Sequence, residues 1–241
     1  MLVGCGIMNK KEKIYMIIKV ILIIFVFISL IRSIIIKNFT MSLVSLISLI
    51  IFCLPYLFGK ILHVKFPIFL NLIICVFAFL SQILGDVYDF YLLIPWWDDF
   101  LHFTSGIMII EIAYFFINII GQNNNKIYLT PLYKVAISFF FTISILTFWE
   151  CFEFSCDKFL GTDTQKDTIV NKINSSEFTK NNKDANRTIE MNSIIINNND
   201  WIENYGGYID IGLNDTMYDL LNGIAGTTIY SFVRYKFLKK E

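Results

Sequence analysis

Six long apolar stretches alternate with polar segments along the chain. They cover residues 14–36, 40–59, 66–84, 99–120, 131–154 and 211–233. A helix needs about 20 mostly apolar residues to cross the ~30 Å hydrocarbon core, where only a fully hydrogen-bonded backbone is tolerated. The first three stretches also lack the polar face of a helix in a soluble domain. The pattern predicts an all-α integral membrane protein, a bundle of about six transmembrane helices.

A polar, Asn-rich tract separates the fifth and sixth apolar stretches. It is far longer than the few residues that most helix connections need. We therefore expect an external, weakly ordered insert. The predicted organisation is a cytoplasmic segment (1–13), helices one to five (14–160), an extracytoplasmic insert (161–210), helix six (211–233) and a cytoplasmic basic tail (234–241).

The distribution of Lys and Arg among the short loops predicts the orientation, because cytoplasmic loops carry an excess of both. With a cytoplasmic N-terminus, the inner side collects Lys10, Lys11, Lys13, Lys60, Lys65, Lys126, Arg234, Lys236, Lys239 and Lys240. The outer short loops hold Arg32 and Lys37. Trp96, Trp97 and Trp149 then lie at the outer interface, where indole rings are favoured. We expect a multi-pass protein of the bacterial plasma (inner) membrane with both termini cytoplasmic.

Composition supports lipid as the main partner. The chain is 56% hydrophobic and 17% charged, whereas soluble domains are about 45–50% apolar and about 25% charged. Twenty basic residues balance twenty acidic ones, so no basic field favours nucleic acid, and we expect no nucleic-acid partner. The five cysteines form no close Cys-x-x-Cys pair and are interpreted as small apolar packing residues.

Three of the apolar stretches carry acidic residues at helical spacing near their outer ends. These are Asp98, Asp99 and His102 on the fourth, Glu150, Glu153 and Asp157 on the fifth, and Asp215, Asp219 and Asn222 on the sixth. Spacings of three, four and seven place each set on one helix face. Ionisable groups at membrane depth normally face the bundle interior or a wet cavity. The spacing therefore predicts that the stripes converge on an outward-facing polar site.

Close carboxylates with no Lys or Arg on their stripes either share protons or bind a metal. Oxygen ligands with one imidazole suit Mg²⁺, Mn²⁺ or Ca²⁺, and a His-rich zinc site is disfavoured because the chain has only His63 and His102. The candidate metal ligands are Glu150, Glu153, Asp215 and Asp219. The structural alternative is that these acids are simply hydrated, with Asp98 or Asp99 acting as a helix N-cap.

Other candidate roles follow from the same positions. His102, Glu150 and Glu153 are the candidate catalytic residues, and the candidates for binding substrate or ion are Asp98, Asp99, Asp157, Asn222 and Glu111. Glu111 follows His102 by nine residues and faces nearly the opposite way. It is either a proton-relay group or a carboxyl group that is paired with Lys134 or hydrogen-bonded to a neighbouring hydroxyl. Small residues on the fourth and sixth helices predict close helix packing. They are Gly106, Gly223, Ala225 and Gly226.

Three motifs resemble the YjdF-like family of bacterial inner-membrane proteins. They are Pro-Trp-Trp-Asp-Asp-Phe-Leu-His-Phe-Thr-Ser-Gly at 95–106, Trp-Glu-Cys-Phe-Glu-Phe at 149–154 with Asp157 and Gly161-Thr162, and Leu-Asn-Asp-Thr-Met-Tyr-Asp-Leu at 213–220. The resemblance covers about the C-terminal two thirds of the chain. A weaker similarity to VanZ-like proteins rests on Asp98 and His102. The resemblance implies the membrane topology and no particular reaction.

The chain departs from the family pattern in one segment. In the family the Gly-Thr motif runs almost directly into the Asp-Thr-x-x-Asp motif, whereas here residues 163–210 intervene. This supports the interpretation of the Asn-rich tract as an insertion. It leaves open whether Gln165 and Asp167 take part in the site.

Three functions fit these observations. The working hypothesis is a divalent-cation-dependent enzyme acting on a lipid or lipid-linked head group, with His102 as general acid or base. The alternatives are a cation or proton transporter, in which Glu111 continues the path inward, and a structural or assembly protein. Few ionisable residues lie beyond Glu111, which favours an outward-facing site over a pathway.

Overall fold

All six apolar stretches form helices in the computed structural model, which describes residues 9–123, 129–175 and 187–239. The helices are α1 (Lys10–Ile35), α2 (Phe39–Ile61), α3 (Ile68–Ala78), which continues as a π-helix (Phe79–Val87), α4 (Phe90–Leu93), α5 (Trp97–Asn123), α6 (Pro131–Leu160), α7 (Trp201–Tyr205) and α8 (Leu213–Leu238). Within the described ranges, five segments are long and apolar enough to cross a membrane. Helix α8 is also long, with 26 residues, but its first turns are polar and it is not one of these five segments. The predicted all-α membrane bundle of about six helices is confirmed.

Polar caps extend the first two helices beyond their apolar stretches. Asn9 and Glu12 form a capping box in which each side chain accepts from the other's backbone N–H at 2.9 Å. Asn38 caps α2 by accepting from the N–H of Met41 at 3.0 Å. Such bonds satisfy N–H groups that have no partner inside the helix. Helix α1 therefore begins at Lys10, before its apolar stretch begins.

The chain divides into two compact units. Unit 1 contains Met1–Leu146 and Asn222–Glu241, and unit 2 contains Thr147–Leu221. The divisions fall inside α6 and α8, so both helices contribute residues to both units.

Unit 1 has a core of small and apolar residues from α1, α2, α3 and the π-helix. The buried members are Val26, Phe52, Cys75, Ala78, Ile83 and Val87. Lys19 of α1 donates to Asn71 Oδ1 at 2.8 Å and to the carbonyl oxygen of Phe52 at 3.2 Å. Pro55 interrupts the hydrogen bonding of α2 close to that carbonyl. The Lys19 ammonium group therefore has partners within the protein, and the extension to the membrane surface expected for such a side chain is not needed.

Helices α5 and α8 pack at backbone contact within unit 1. A methyl group at Gly106 would collide with the carbonyl oxygen of Gly223, and one at Gly226 would collide with that of Phe103. Only glycine permits this separation, which confirms the predicted packing role of these glycines. Ala225 is exposed, so its predicted packing role was wrong.

The insert belongs to unit 2 and contains short antiparallel strand pairs. The strands are β1 (Ile169–Val170), β2 (Lys172–Ser175), β3 (Arg187–Glu190), β4 (Ile195–Ile196), β5 (Asn199–Asp200) and β6 (Tyr208–Ile209). The pairs are β1 with β6, β2 with β3 and β4 with β5. The sequence predicted a weakly ordered insert, and for these segments the prediction was wrong. Isoleucine and valine occur in most of these strands and favour pleated structure despite the many asparagines.

Pairing of β1 with β6 closes the insert at its base. Ile169 is opposite Ile209, and Val170 is opposite Tyr208. The start and the end of the insert are thus joined in one two-stranded stem. Residues 176–186 lie outside the described part of the chain, as do the N-terminal residues 1–8, residues 124–128 and the last two residues of the predicted basic tail.

Candidate functional site

In unit 1 the acidic residues of α5 lie in its first turn. Helix α5 begins at Trp97, so Asp98 and Asp99 follow the cap position and interact favourably with the positive end of the helix dipole. His102 is buried, and its Nε2 lies 3.7 Å from Asp98 Oδ1. Asp86, at the end of the π-helix, lies within electrostatic range of Asp98. The predicted i, i+4 relation of Asp98 and His102 thus forms a contact.

Asp99 links α5 to α8. The side-chain amide of Asn222 donates to Asp99 Oδ1 at 2.6 Å. These two residues were predicted from separate stripes to belong to one polar site, and the structure brings them into direct contact. A hydrogen bond to a charged group is among the stronger ones in proteins, so this bond fixes the two helices relative to each other at this level.

Glu111 lies in a polar cluster between α5 and α8, also within unit 1. The Tyr230 hydroxyl donates to Glu111 Oε2 at 2.9 Å, and Arg234 Nη2 lies 3.4 Å from Glu111 Oε1. The Arg234 guanidinium also stacks over the Tyr114 ring, with its central carbon 4.1 Å from the ring centroid. The predicted neighbouring hydroxyl is therefore confirmed as a partner of Glu111.

The other predicted partner of Glu111, Lys134, points elsewhere. Its ammonium group donates to Asn118 Oδ1 at 2.9 Å. Arg234 takes the cationic role instead. The distribution of Lys and Arg predicts that Arg234 lies in the cytoplasmic tail, although its spacing of four from Tyr230 places both residues on one helix face.

In unit 2 the acidic stripe of α6 faces inward. Glu150 is 5% exposed, and the neighbouring aromatic residues Trp149 and Phe152 are exposed. Glu153 is half-buried, and carboxylate oxygens of Glu150 and Glu153 lie within 4.8 Å of each other. On α8, Asp219 is 3% exposed. The two helices of unit 2 thus each bury a carboxylate at a predicted position.

Asp157 ends the acidic stripe of α6 and holds the loop that follows. It accepts four hydrogen bonds from this loop: from the Thr162 hydroxyl at 2.8 Å, from the N–H and the hydroxyl of Thr164 at 2.7 Å each, and from the N–H of Gln165 at 2.9 Å. Both carboxylate oxygens take part. The contacts give Asp157 a structural role at the start of the insert.

The same loop reaches the first turn of α8. The N–H of Lys166 donates to Asp215 Oδ2 at 2.9 Å, and the buried Gln165 side chain donates to the Thr216 hydroxyl. Gly212 has a φ of +77°, and a Cβ there would lie 2.7 Å from the Cβ of Gln165. The sequence motifs leave the role of Gln165 open and do not indicate Thr216. The available signal was a pair of glycines, Gly161 directly after α6 and Gly212 directly before α8, together with closely spaced Asp and Thr residues.

Two further aspartates, Asp167 and Asp210, lie close to the loop that follows α6. Asp210 accepts from the N–H of Thr168 and from the N–H of Asn214, each at 2.9 Å. Loss of hydration, followed by the charges of Asp163 and Asp210, raises the pKa of Asp167 above its ordinary value. Asp167 lies on the exposed side of the loop.

In unit 2 the carboxylates of Glu150 and Glu153 fit a divalent cation in donor type and in spacing. Hard cations such as Mg²⁺ and Ca²⁺ bind carboxylate oxygens at about 2.0–2.6 Å, so two oxygens on one ion lie at most about 5 Å apart. The 4.8 Å bound on the carboxylate oxygens of Glu150 and Glu153 meets this condition. Asp215 and Asp219 occupy one face of α8 at a spacing of four. The approach of His102 to these carboxylates stays a prediction.

Comparison with known proteins supports the membrane assignment. Residues 16–240 match a family model described as "Predicted membrane protein (DUF2238)". A protein of Thermotoga maritima, described as uncharacterized, is 32% identical over 123 residues, which cover 49% of this chain and 62% of that relative. No solved structure matches. The chain belongs to the DUF2238 family of predicted membrane proteins and is a multi-pass membrane protein.

Proposed function

We propose that this protein is a divalent-cation-dependent enzyme that acts on a lipid or lipid-linked head group. The proposed cation ligands are Glu150, Glu153, Asp215 and Asp219. The observation that carries the proposal is the close approach of two carboxylates in unit 2, since oxygens of Glu150 and Glu153 lie within 4.8 Å of each other. Like charges at this distance repel each other unless a proton or a cation lies between them. A bound cation offsets that repulsion for several carboxylates at once.

The proposal that the substrate is a lipid head group rests on the position of the carboxylates along each helix. Glu150 and Glu153 lie in the last turns of α6, and Asp215 and Asp219 lie in the first turns of α8. These are the parts of the two helices that border the polar insert. Membrane helices leave the hydrocarbon at such boundaries, where lipid head groups lie. A substrate at this level reaches the ligands without leaving the membrane surface.

A divalent cation would polarise a phosphoryl or carbonyl oxygen and lower the pKa of a bound water. The residues of this chain supply the rest of the chemistry. Glu150 and Glu153 hold acceptor oxygens on one face of α6. His102 keeps its sequence-based role as general acid or base, and its Nε2 lies 3.7 Å from Asp98 Oδ1.

An enzyme is favoured over a cation transporter by the contacts of Glu111. The transporter hypothesis needs Glu111 to receive the ion, but this carboxylate already contacts Arg234 and Tyr230. A fixed guanidinium group repels a passing cation. We also propose that the chain is a YjdF-like member of its family, located in the bacterial inner membrane with both termini cytoplasmic, on the basis of its three motifs and its Lys and Arg distribution.

Cation binding is tested on the full chain in lipid nanodiscs. Mn²⁺ is titrated and free Mn²⁺ is measured by electron paramagnetic resonance. We expect saturable binding that raises the melting temperature, since a ligand of the folded state stabilises it by mass action. Asp219→Asn and Glu153→Gln should lose this response. Glu203→Gln, at an exposed position in α7, is the control. A folded wild type that binds no Mn²⁺ at millimolar concentration contradicts the proposal.

Turnover is tested with vesicles of phosphatidylglycerol and phosphatidylethanolamine as the first substrates. Water-soluble head-group products are measured by mass spectrometry with and without Mn²⁺. His102→Gln should keep Mn²⁺ binding and lose turnover, because the substitution removes a proton-transfer group and no proposed cation ligand. Equal turnover by wild type and His102→Gln would remove His102 from the mechanism.

A further inference from the structure

The loop that follows α6 makes hydrogen bonds to both helices that carry the proposed cation ligands. We define this loop, residues 162–168, as the strap. Most of its residues are exposed, but Gln165 is buried. A buried glutamine in an otherwise exposed loop requires hydrogen-bond partners for its amide. Its contacts therefore show what the strap holds.

On the α6 side, the strap bonds directly to the turn that carries Glu153. The Thr164 hydroxyl shares its one hydrogen between Asp157 Oδ1 at 2.7 Å and the carbonyl oxygen of Glu153 at 3.1 Å. The N–H groups of Thr164 and Gln165 donate to the two oxygens of Asp157, which lies one turn after Glu153. The backbone of the strap is thereby fixed relative to the end of α6.

On the α8 side, the strap bonds to the turn that carries Asp215. The N–H of Lys166 donates to the Asp215 carboxylate, and the Gln165 amide donates to the hydroxyl of Thr216. Asp219 lies three residues after Thr216, on the neighbouring turn of the same helix. The Gln165 bond therefore restrains the rotation of the part of α8 that presents both aspartates.

We propose that Gln165 is a positioning residue for the cation site, acting through Thr216. This inference rests on the proposed function. The Gln165 side chain joins the strap, anchored on α6 at Asp157, to α8 at Thr216 and so sets the separation of the two helices where their carboxylates face the ion. Hydrogen bonds from residues that surround a metal site, without binding the metal themselves, orient the metal ligands. Their loss commonly weakens metal binding by about 10–100-fold.

The test measures Mn²⁺ affinity of the full chain in nanodiscs for wild type and four variants. Gln165→Leu removes the donor, and Thr216→Val removes the acceptor with little change of shape. Both should bind Mn²⁺ at least about tenfold more weakly. Thr216→Ser restores the hydroxyl and should bind within about twofold of wild type. Thr168→Val is the matched control, because its described contact uses the backbone N–H alone.

Melting temperatures without Mn²⁺ separate positioning from folding. We expect those of Thr216→Val and Thr216→Ser to lie close together while their Mn²⁺ affinities differ. Wild-type affinity in folded Gln165→Leu and Thr216→Val overturns the positioning role and leaves the proposed function intact. Weak binding by folded Thr216→Ser also overturns it. Absence of Mn²⁺ binding by wild type refutes the proposed function itself, and the positioning role with it.

Discussion

The contact of α5 with α8 predicts a large effect of a single methyl group. Gly106→Ala and Gly226→Ala each place that methyl against a carbonyl oxygen of the facing helix. Neither carbonyl can turn away without breaking hydrogen bonds of its own helix. The helices must therefore separate by roughly 1 Å to restore ordinary contact distances. Overpacking of this kind costs about 1–3 kcal/mol of unfolding free energy.

Gly223→Ala is the matched control on the same helix. Its new methyl meets Leu146 Cδ1 at 2.7 Å, the end of a side chain that can rotate. All three substitutions gain the same helix propensity, up to about 1 kcal/mol. Their differences therefore isolate the backbone collision.

Stability is measured in mild detergent by titration with sodium dodecyl sulfate, using tryptophan fluorescence. We expect Gly106→Ala and Gly226→Ala to be less stable than Gly223→Ala by about 1–3 kcal/mol. Equal stability of the three variants would refute the backbone contact and with it the close packing of α5 and α8.

Three further predictions concern other contacts. Glu111→Gln should lower stability by about 1–3 kcal/mol because it leaves a partly buried guanidinium group without its ion partner, and a second change, Arg234→Met, should recover part of the loss in the same titration. The Lys172 ammonium group, 2.9 Å from Glu190, lowers the pKa of that carboxyl, so the contribution of this ion pair to folding is present above the unfolded pKa of Glu190 and is lost as pH falls through the lowered folded value. Nuclear magnetic resonance titration should show the lowered pKa move towards its ordinary value in 1 M salt, and a pKa unaffected by salt would contradict the ion pair. Replacing residues 171–207 by a two-residue turn should leave a monodisperse, membrane-inserted protein by size-exclusion chromatography, because the strands at the base of the insert already lie side by side, whereas aggregation would show that the insert packs on the helices.

The apolar pattern was sufficient to predict the helices, because the hydrocarbon core imposes one length and one hydrogen-bonding solution. It did not locate their ends. Asn9 and Glu12 extend α1 through a capping box, which depends on side-chain bonds and not on hydropathy. The strands of the insert were not predicted either, because the interpretation of this tract relied on its Asn-rich composition. Ile173 and Ile189 pair there within a tract that its asparagines had marked as weakly ordered.

Contacts of the candidate site within one helix could be predicted from the sequence. Contacts between distant segments could not. Helical spacing placed Asp98 beside His102 and Glu150 beside Glu153. The bonds from the strap to Asp215 and Thr216 join residues 49 and 51 positions apart, and no local spacing encodes such contacts. Arg234 was not predicted as the ion partner of Glu111, because the distribution of Lys and Arg among the loops assigned it to the cytoplasmic tail.

The ion pair at Glu111 also affects the order of events during biosynthesis. Tyr230 follows Glu111 by 119 residues, so at about 5–20 residues per second its hydroxyl is synthesised roughly 6 to 24 s later. Throughout that interval α5 contains an acid near its middle, and its final partners have not yet been made. The nascent helix must keep this side chain in contact with water in the insertion machinery until α8 arrives. Helix α8 thus completes the insertion of α5.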